Sequence, residues 1–129
     1  MEHWLAIIQE NAFINLFYWL LVGHGVADLV LQTRTMSKMK NRHKWAAEVP
    51  DDQKQFMPHW LYWLTTHSMI HGAAVYLVTA SFMLGLLETV LHGVIDFFKC
   101  EKRYGANVDQ ALHVLCKVIW AGLVSQGLI

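Results

Sequence analysis

Residues 67–96 read HSMIHGAAVYLVTASFMLGLLETVLHGVID, two apolar runs that each carry a pair of ionisable residues four apart, His67/His71 and His92/Asp96. Residues at i and i+4 lie one above the other on the same face of a helix, so each pair is a two-rung polar ladder on an otherwise apolar cylinder. The pairs 67/96 and 71/92 share a midpoint between Ser81 and Phe82. A helical hairpin turning there would bring both rungs level. Two further pairs, His24/Asp28 and Asp109/His113, repeat the spacing. The pairs 96/109 and 92/113 again share one midpoint, between Lys102 and Arg103. One geometry therefore satisfies both turns. With a rise of ~1.5 Å per residue, the two rungs are about 6 Å apart. If the first helix runs parallel to the third, His24, His71, His92 and His113 form one layer, and Asp28, His67, Asp96 and Asp109 the next.

Eight ionisable groups hidden inside apolar helices suit a bundle interior in a membrane, where such residues pair with one another or mark a functional site. The composition agrees: 55% of the 129 residues are hydrophobic, six are tryptophan and 16% are charged. These bounds predict a single all-α domain, an integral-membrane antiparallel four-helix bundle with spans at about 12–33, 59–80, 82–100 and 107–127. Between the first two spans lies a polar segment, 34–58, for which a short amphipathic surface helix from Thr35 to Ala47 followed by a loop is expected. The lead-in Trp4 to Ile8 either lies at the interface or extends the first helix. Six of the ten Lys and Arg residues fall in 34–54 and three in 99–103. Those segments should share the cytoplasmic side, which puts both termini outside. Met1 to Glu10 lacks a basic start, so no cleavable signal peptide is expected. Net charge is zero and no basic run is long enough to argue for nucleic acid.

Imidazole and carboxylate together suit Zn, Mn, Fe or Ni, and the two cysteines, Cys100 and Cys116, have no metal-site spacing. The candidate metal ligands are His24, Asp28, His67, His71, His92, Asp96, Asp109 and His113. They exceed what one tetrahedral ion needs, so they would hold one ion with hydrogen-bonded neighbours, or two ions bridged by aspartate. Haem fits less well, because three aspartates stacked beneath it are unfavourable neighbours for a porphyrin. Gln32 and Lys99 extend the ladders towards the basic side and, with Asp96, form the candidate catalytic set. Lys38, Lys40 and Arg103 could join Lys99 in neutralising a phosphate, although anchoring at the membrane surface explains basic residues there equally well. Glu88, four before His92, could orient it. His43 and His59 are expected at the interface. Gly23, Gly25, Gly72 and Gly93 adjoin ladder residues, as close helix packing would require.

The combination His24-x3-Asp28-x3-Gln32, a basic segment containing Lys38, His67-x3-His71, His92-x2-Ile95-Asp96-x2-Lys99 and Asp109-Gln110-x2-His113 resembles the bacterial and phage membrane proteins grouped as domain of unknown function 3307, from about Leu20 to the last helix. That resemblance implies a small multi-spanning protein of the bacterial inner membrane. A looser similarity to inner-membrane metal-dependent hydrolases is analogy of pattern. The expected function is hydrolysis of an ester or phosphoester, on a lipid or a phosphorylated small molecule, by a metal site near the cytoplasmic face. The alternatives are a metal-ion or proton carrier without bond cleavage, and a structural polar cluster that only specifies helix pairing.

Overall fold

The computed structural model describes the backbone of residues 2–129 and the side chains of His3 and residues 11–129; within these there are six α-helices and no strand. Helix α1 (Glu2–Gly25) continues as a π-helical segment, Val26–Leu31. Helices α2 (Arg34–Met39) and α3 (Arg42–Glu48) are short, and α4 (Trp60–Thr79), α5 (Phe82–Cys100) and α6 (Ala106–Ser125) are long. The lead-in Trp4 to Ile8 is thus backbone of α1 itself.

The long helices close a ring in which α1 packs on α4 and α6, and α5 packs on the same two. Chain punctuation sets the hairpins. Ser81 Oγ accepts from Leu84 N at 3.3 Å to start α5, directly after Ala80 closes α4 in the left-handed region at φ 55°. The α4–α5 turn therefore falls at Ala80–Ser81, about one residue before the midpoint read from the ladders. Helix α5 ends in a six-to-one cap, Arg103 N donating to Phe98 O at 3.1 Å, with Lys102 at φ 58° where glycine is usual. Tyr104 OH donates to the Ile95 carbonyl at 2.5 Å, tying the next loop back to α5.

The segment expected as one surface helix from Thr35 to Ala47 is two. Asn41 breaks it, because its side chain accepts from His43 N at 3.0 Å and Lys44 N at 3.2 Å and so starts a new helix. Nor is it merely a surface element: Met39, Trp45 and Val49 are buried against Trp60 and Trp63, and Trp45 Nε1 donates to the Pro58 carbonyl at 2.9 Å. Arg42 reaches Glu101 at 2.7 Å, which places the two basic segments at the same end of the bundle. The Arg42 guanidinium holds Glu101 below its ordinary carboxylate range, with His43 adding to the effect. His59 is the cap of α4, its Nδ1 accepting from Leu61 N at 3.4 Å.

The interior is polar and the exterior apolar. His67, His71, Glu88, His92, Asp96, Asp109, His113 and Lys117 are all at most 2% exposed, whereas Leu29, Val30, Leu77 and Phe82 are each more than 70% exposed. Two helical stretches, Asn11–Leu31 and Ala106–Ser125, are long and apolar enough to cross a membrane. Helix α5 differs from them in carrying three charged residues, Glu88, Asp96 and Lys99, along an otherwise apolar stretch. The half of the bundle away from the basic end closes on an apolar cluster of Leu20, Val75, Leu84, Trp120 and Ala121. At the edge of that cluster a buried carboxylate, Glu88, is ion-paired with Lys117 and accepts from Trp120 Nε1 at 2.7 Å.

Glycine sets the α4–α5 distance. A Cβ on Gly72 would lie 2.0 Å from Thr89 Oγ1 and 2.4 Å from the Gly85 carbonyl oxygen, and one on Gly93 would lie 3.1 Å from Ser68 Oγ. Gly25 differs from the expectation of close packing, since a Cβ there meets nothing within 4 Å. Gly72→Ala should therefore destabilise the bundle by about 2 kcal/mol or more through overpacking, while Gly25→Ala is tolerated; thermal unfolding in detergent measures both. Lys117→Ala should cost about 3–5 kcal/mol by leaving the Glu88 charge buried and unpaired. The double change Lys117→Met with Glu88→Gln should recover most of that loss in the same assay, because it removes both charges together.

Candidate metal centre

The four ladders meet inside the ring. The imidazoles of His24, His71, His92 and His113 form a tier in which His71 and His92 stack with centroids 3.6 Å apart, His92 and His113 at 4.2 Å, and His24 lies 4.9 Å from His71 and 5.2 Å from His113. Asp28, His67, Asp96 and Asp109 form the next tier towards the basic end. Along α1 and α5 the chain runs from the histidine tier to the aspartate tier, and along α4 and α6 it runs back. The up-down-up-down arrangement is thereby fixed by side chains as well as by turns.

Asp28 is the shared acceptor of the first group. Its Oδ1 lies 3.1 Å from His71 Nε2 and 3.4 Å from His67 Nε2, and its Oδ2 lies 3.3 Å from His24 Nε2. The π-helical widening at Val26–Leu31 contains this residue, where an uninterrupted α-helix to Thr33 was expected; π-turns recur at functional sites. His92 Nε2 stands 3.2 Å from His67 Nε2. Asp28, His67, His71 and His92 can each present one ligand atom such that all lie within 4.8 Å of one another. In the second group, His113 Nε2 is 3.5 Å from Asp109 Oδ1 and 3.6 Å from Asp96 Oδ1, and these three residues meet the same limit. A third set, Glu88, His92 and His113, also meets it, and His92 Nδ1 lies 3.6 Å from Glu88 Oε1.

These spacings are long for charge-assisted hydrogen bonds, which cluster at about 2.7–2.9 Å. They match the edges of a coordination shell. Ligand atoms about 2.0–2.1 Å from a tetrahedral ion stand about 3.3–3.4 Å from each other. The buried groups can therefore hold a metal ion, and charge argues in the same direction. Asp96 is ion-paired with Lys40, Asp109 with Lys99 at 3.0 Å, and Glu88 with Lys117. Asp28 has no lysine partner among the described residues; it faces three histidines and the Gln110 amide. A part-buried carboxylate without a paired cation favours the approach of one. Asp109 Oδ1, on the side of the carboxylate turned to His113, is buried without a hydrogen-bond partner.

All eight residues singled out as ligands thus converge. Of the candidate catalytic set, Asp96 lies inside the cluster, and Lys99 stands at its edge on Asp109. Gln32 sits past the end of the π-helical segment, its amide donating to the Asp28 carbonyl at 3.3 Å. Lys38 points elsewhere, to Glu48 at 3.2 Å on the surface, and His43 faces Glu101. Gln110 and Lys117 were assigned no place in the site, and Lys40, expected to neutralise a phosphate, is instead the buried partner of Asp96. Gln110 bridges His24 and Asp28, its Oε1 accepting from His24 Nε2 at 3.1 Å and its Nε2 donating to Asp28 Oδ2 at 3.3 Å. Its signal was its place in the Asp109-Gln110 motif, three before His113. Lys40 enters the buried cluster through the break between α2 and α3, and no periodicity marks such a break. The Lys117–Glu88 pair carried a readable signal, because 88 and 117 share the midpoint of 92 and 113 and so form a third rung.

The family model described as protein of unknown function (DUF3307) matches residues 16–127, which include every residue of both tiers. No curated protein and no solved structure matches the chain. The convergent tiers are therefore a property of a chain that belongs to the DUF3307 family.

Proposed function

We propose that this protein is a metal-dependent hydrolase of the bacterial inner membrane, cleaving an ester or phosphoester at its basic, cytoplasmic end. The observation that carries the reading is the convergence of Asp28, His67, His71 and His92, four donors from three helices with one ligand atom each within 4.8 Å of the others. The second group, Asp96, Asp109 and His113, has room for a companion ion. A bound divalent transition ion would lower the pKa of water enough to supply hydroxide at neutral pH and would polarise the scissile oxygen. The chain's own residues do the remainder. Gln110 links His24 and Asp28, Glu88 lies beside His92, and Lys40 and Lys99 hold one oxygen of Asp96 and of Asp109 while the other faces His113. Hydrolysis would add the OH of water to phosphorus or the acyl carbon and pass its other proton to the leaving alkoxide, with Lys99 and Gln32 positioning the leaving group or the water.

Membrane placement is supported by the inverted distribution of polarity, with charge inside and Leu29, Leu77 and Phe82 outside. An ion carrier would need access from both ends. The apolar cluster around Leu20, Leu84 and Trp120 closes one of them, which favours hydrolysis over transport.

The test is metal content. Protein purified in detergent without an affinity-histidine tag should carry about one or two equivalents of Zn, Mn, Fe or Ni by elemental mass spectrometry. Asp28→Ala, and the double variant Asp96→Ala with His92→Ala, should lose it by about tenfold or more while circular dichroism shows the helices retained. Turnover of chromogenic phosphoesters should fall with the metal. Because the ligands must be deprotonated, acidification should release the ion. Wild-type protein that stays metal-free after reconstitution with all four ions would overturn the reading.

A further inference from the structure

A cavity of about 270 Å³ opens at the basic end, lined by Gln32, Ser37, Lys40, Lys44, Lys99 and Lys102 together with Asn41 and Cys100, with no carboxylate in its wall. The aspartate tier lies behind its lining, since Lys40 and Lys99 are the ion-pair partners of Asp96 and Asp109. Its rim is different. Lys44 and Lys102 make no ion pair among the described residues, and Glu101, beside Lys102 in the chain, is held by Arg42 at 2.7 Å and His43 at 3.0 Å. Gln32 takes no part in binding an anion here, because its Nε2 donates to the Asp28 carbonyl at 3.3 Å and its free Oε1 is an acceptor.

Lys102 supplies an independent observation. It occupies the left-handed position of the α5 cap at φ 58°. A side chain there is disfavoured by about 1 kcal/mol or more relative to glycine, so the cap alone would favour glycine. What lysine adds at this position is an ammonium group on the cavity rim.

We infer that this cavity is a phosphate pocket, in which Lys44, Lys99 and Lys102 bind the phosphate group of the molecule presented to the His/Asp cluster. Calling that molecule the substrate rests on the hydrolase reading. The anion site itself rests on the lysines. Phosphate offers acceptor oxygens in several directions, and the three lysines that line the cavity from α3, α5 and the α5–α6 loop can each donate to a different one. The same chemistry serves a lipid headgroup and a soluble phosphate ester.

Lys102→Gly combined with Lys44→Gln tests the pocket without touching a residue of either tier. The full-length protein, in detergent, would be titrated calorimetrically with glycerol 3-phosphate, and in nanodiscs its binding of phosphatidic acid would be compared with that of phosphatidylcholine, with metal content measured alongside. The double variant should bind the phosphate probe about tenfold or more weakly, as loss of charge-assisted contacts implies. Its metal content should be unchanged, and its thermal stability equal or higher because glycine suits the cap. Phosphatidic acid retained without glycerol 3-phosphate binding would support a lipid source; binding of both would support recognition of the phosphate alone. Equal affinities in wild type and double variant, with metal present, would overturn the pocket and leave the metal reading standing. Lysine-dependent phosphate binding in a metal-free protein would do the reverse.

Discussion

Everything in this fold depends on keeping charge inside an apolar-surfaced bundle. Four carboxylates, three lysines and five histidines occupy the interior, and each ion removed from water costs several kcal/mol unless its neighbours compensate it. Compensation demands register. If α5 slid by one residue along α4, His92 would leave the stack with His71 and Asp96 would lose Lys40. The ladders therefore act as the teeth of the assembly, while the glycines at 72 and 85 let α4 and α5 approach closely enough for the teeth to engage. In a membrane, apolar packing alone would specify helix alignment weakly, because lipid and leucine are nearly equivalent surroundings.

The same logic explains what could be read from the chain and what could not. Midpoints of ladder pairs fix which residues of a hairpin lie level, so the two tiers, the turns and the ring order were legible from residues 24 to 113. The third rung, Glu88 with Lys117, obeyed the same arithmetic and was legible too, although Lys117 stood out only as a cation on an outward-heading helix. Other features follow from no periodicity. The break at Asn41 arises from a side-chain cap competing with helix continuation, and its consequence, Lys40 turned inward to Asp96, belongs to tertiary structure. The π-helical turn at Val26–Leu31 is likewise invisible to an i, i+4 pattern, since His24 and Asp28 satisfy that pattern in either helix type. Of the four spans expected from the sequence, two, Asn11–Leu31 and Ala106–Ser125, are long and apolar enough to cross a membrane; α4 carries its histidines and aromatic residues, and α5 carries Glu88, Asp96 and Lys99.

Segregation along the bundle axis gives the site its direction. From the apolar cluster at Leu84 and Trp120, polarity increases through the Glu88–Lys117 pair, the histidine tier and the aspartate tier to the lysine-lined cavity. The pair has a definite place in that gradient. It stands between the imidazoles and the apolar half, with Glu88 Oε1 directed towards His92 Nδ1, so that the deepest histidine contact is with a carboxylate already neutralised by Lys117. A lone glutamate there would compete with Asp28 and Asp96 for any cation. Paired, it can orient an imidazole without drawing the ion down into the core.

The lysines also divide the carboxylates by role. Lys40 and Lys99 each engage Oδ2 of their aspartate, and the Oδ1 atoms are the ones that face His113. Asp28, without a lysine, has both oxygens directed at histidines. Four carboxylates thus face three lysine ammoniums, Lys99 at the edge, and Asp28 is the carboxylate without one. A divalent cation placed against Asp28, His67, His71 and His92 would reverse that excess beside the lysine-lined cavity. The interior charge balance and the chemistry of the cavity are therefore linked: the ion that compensates Asp28 would also make the approach attractive to an anion.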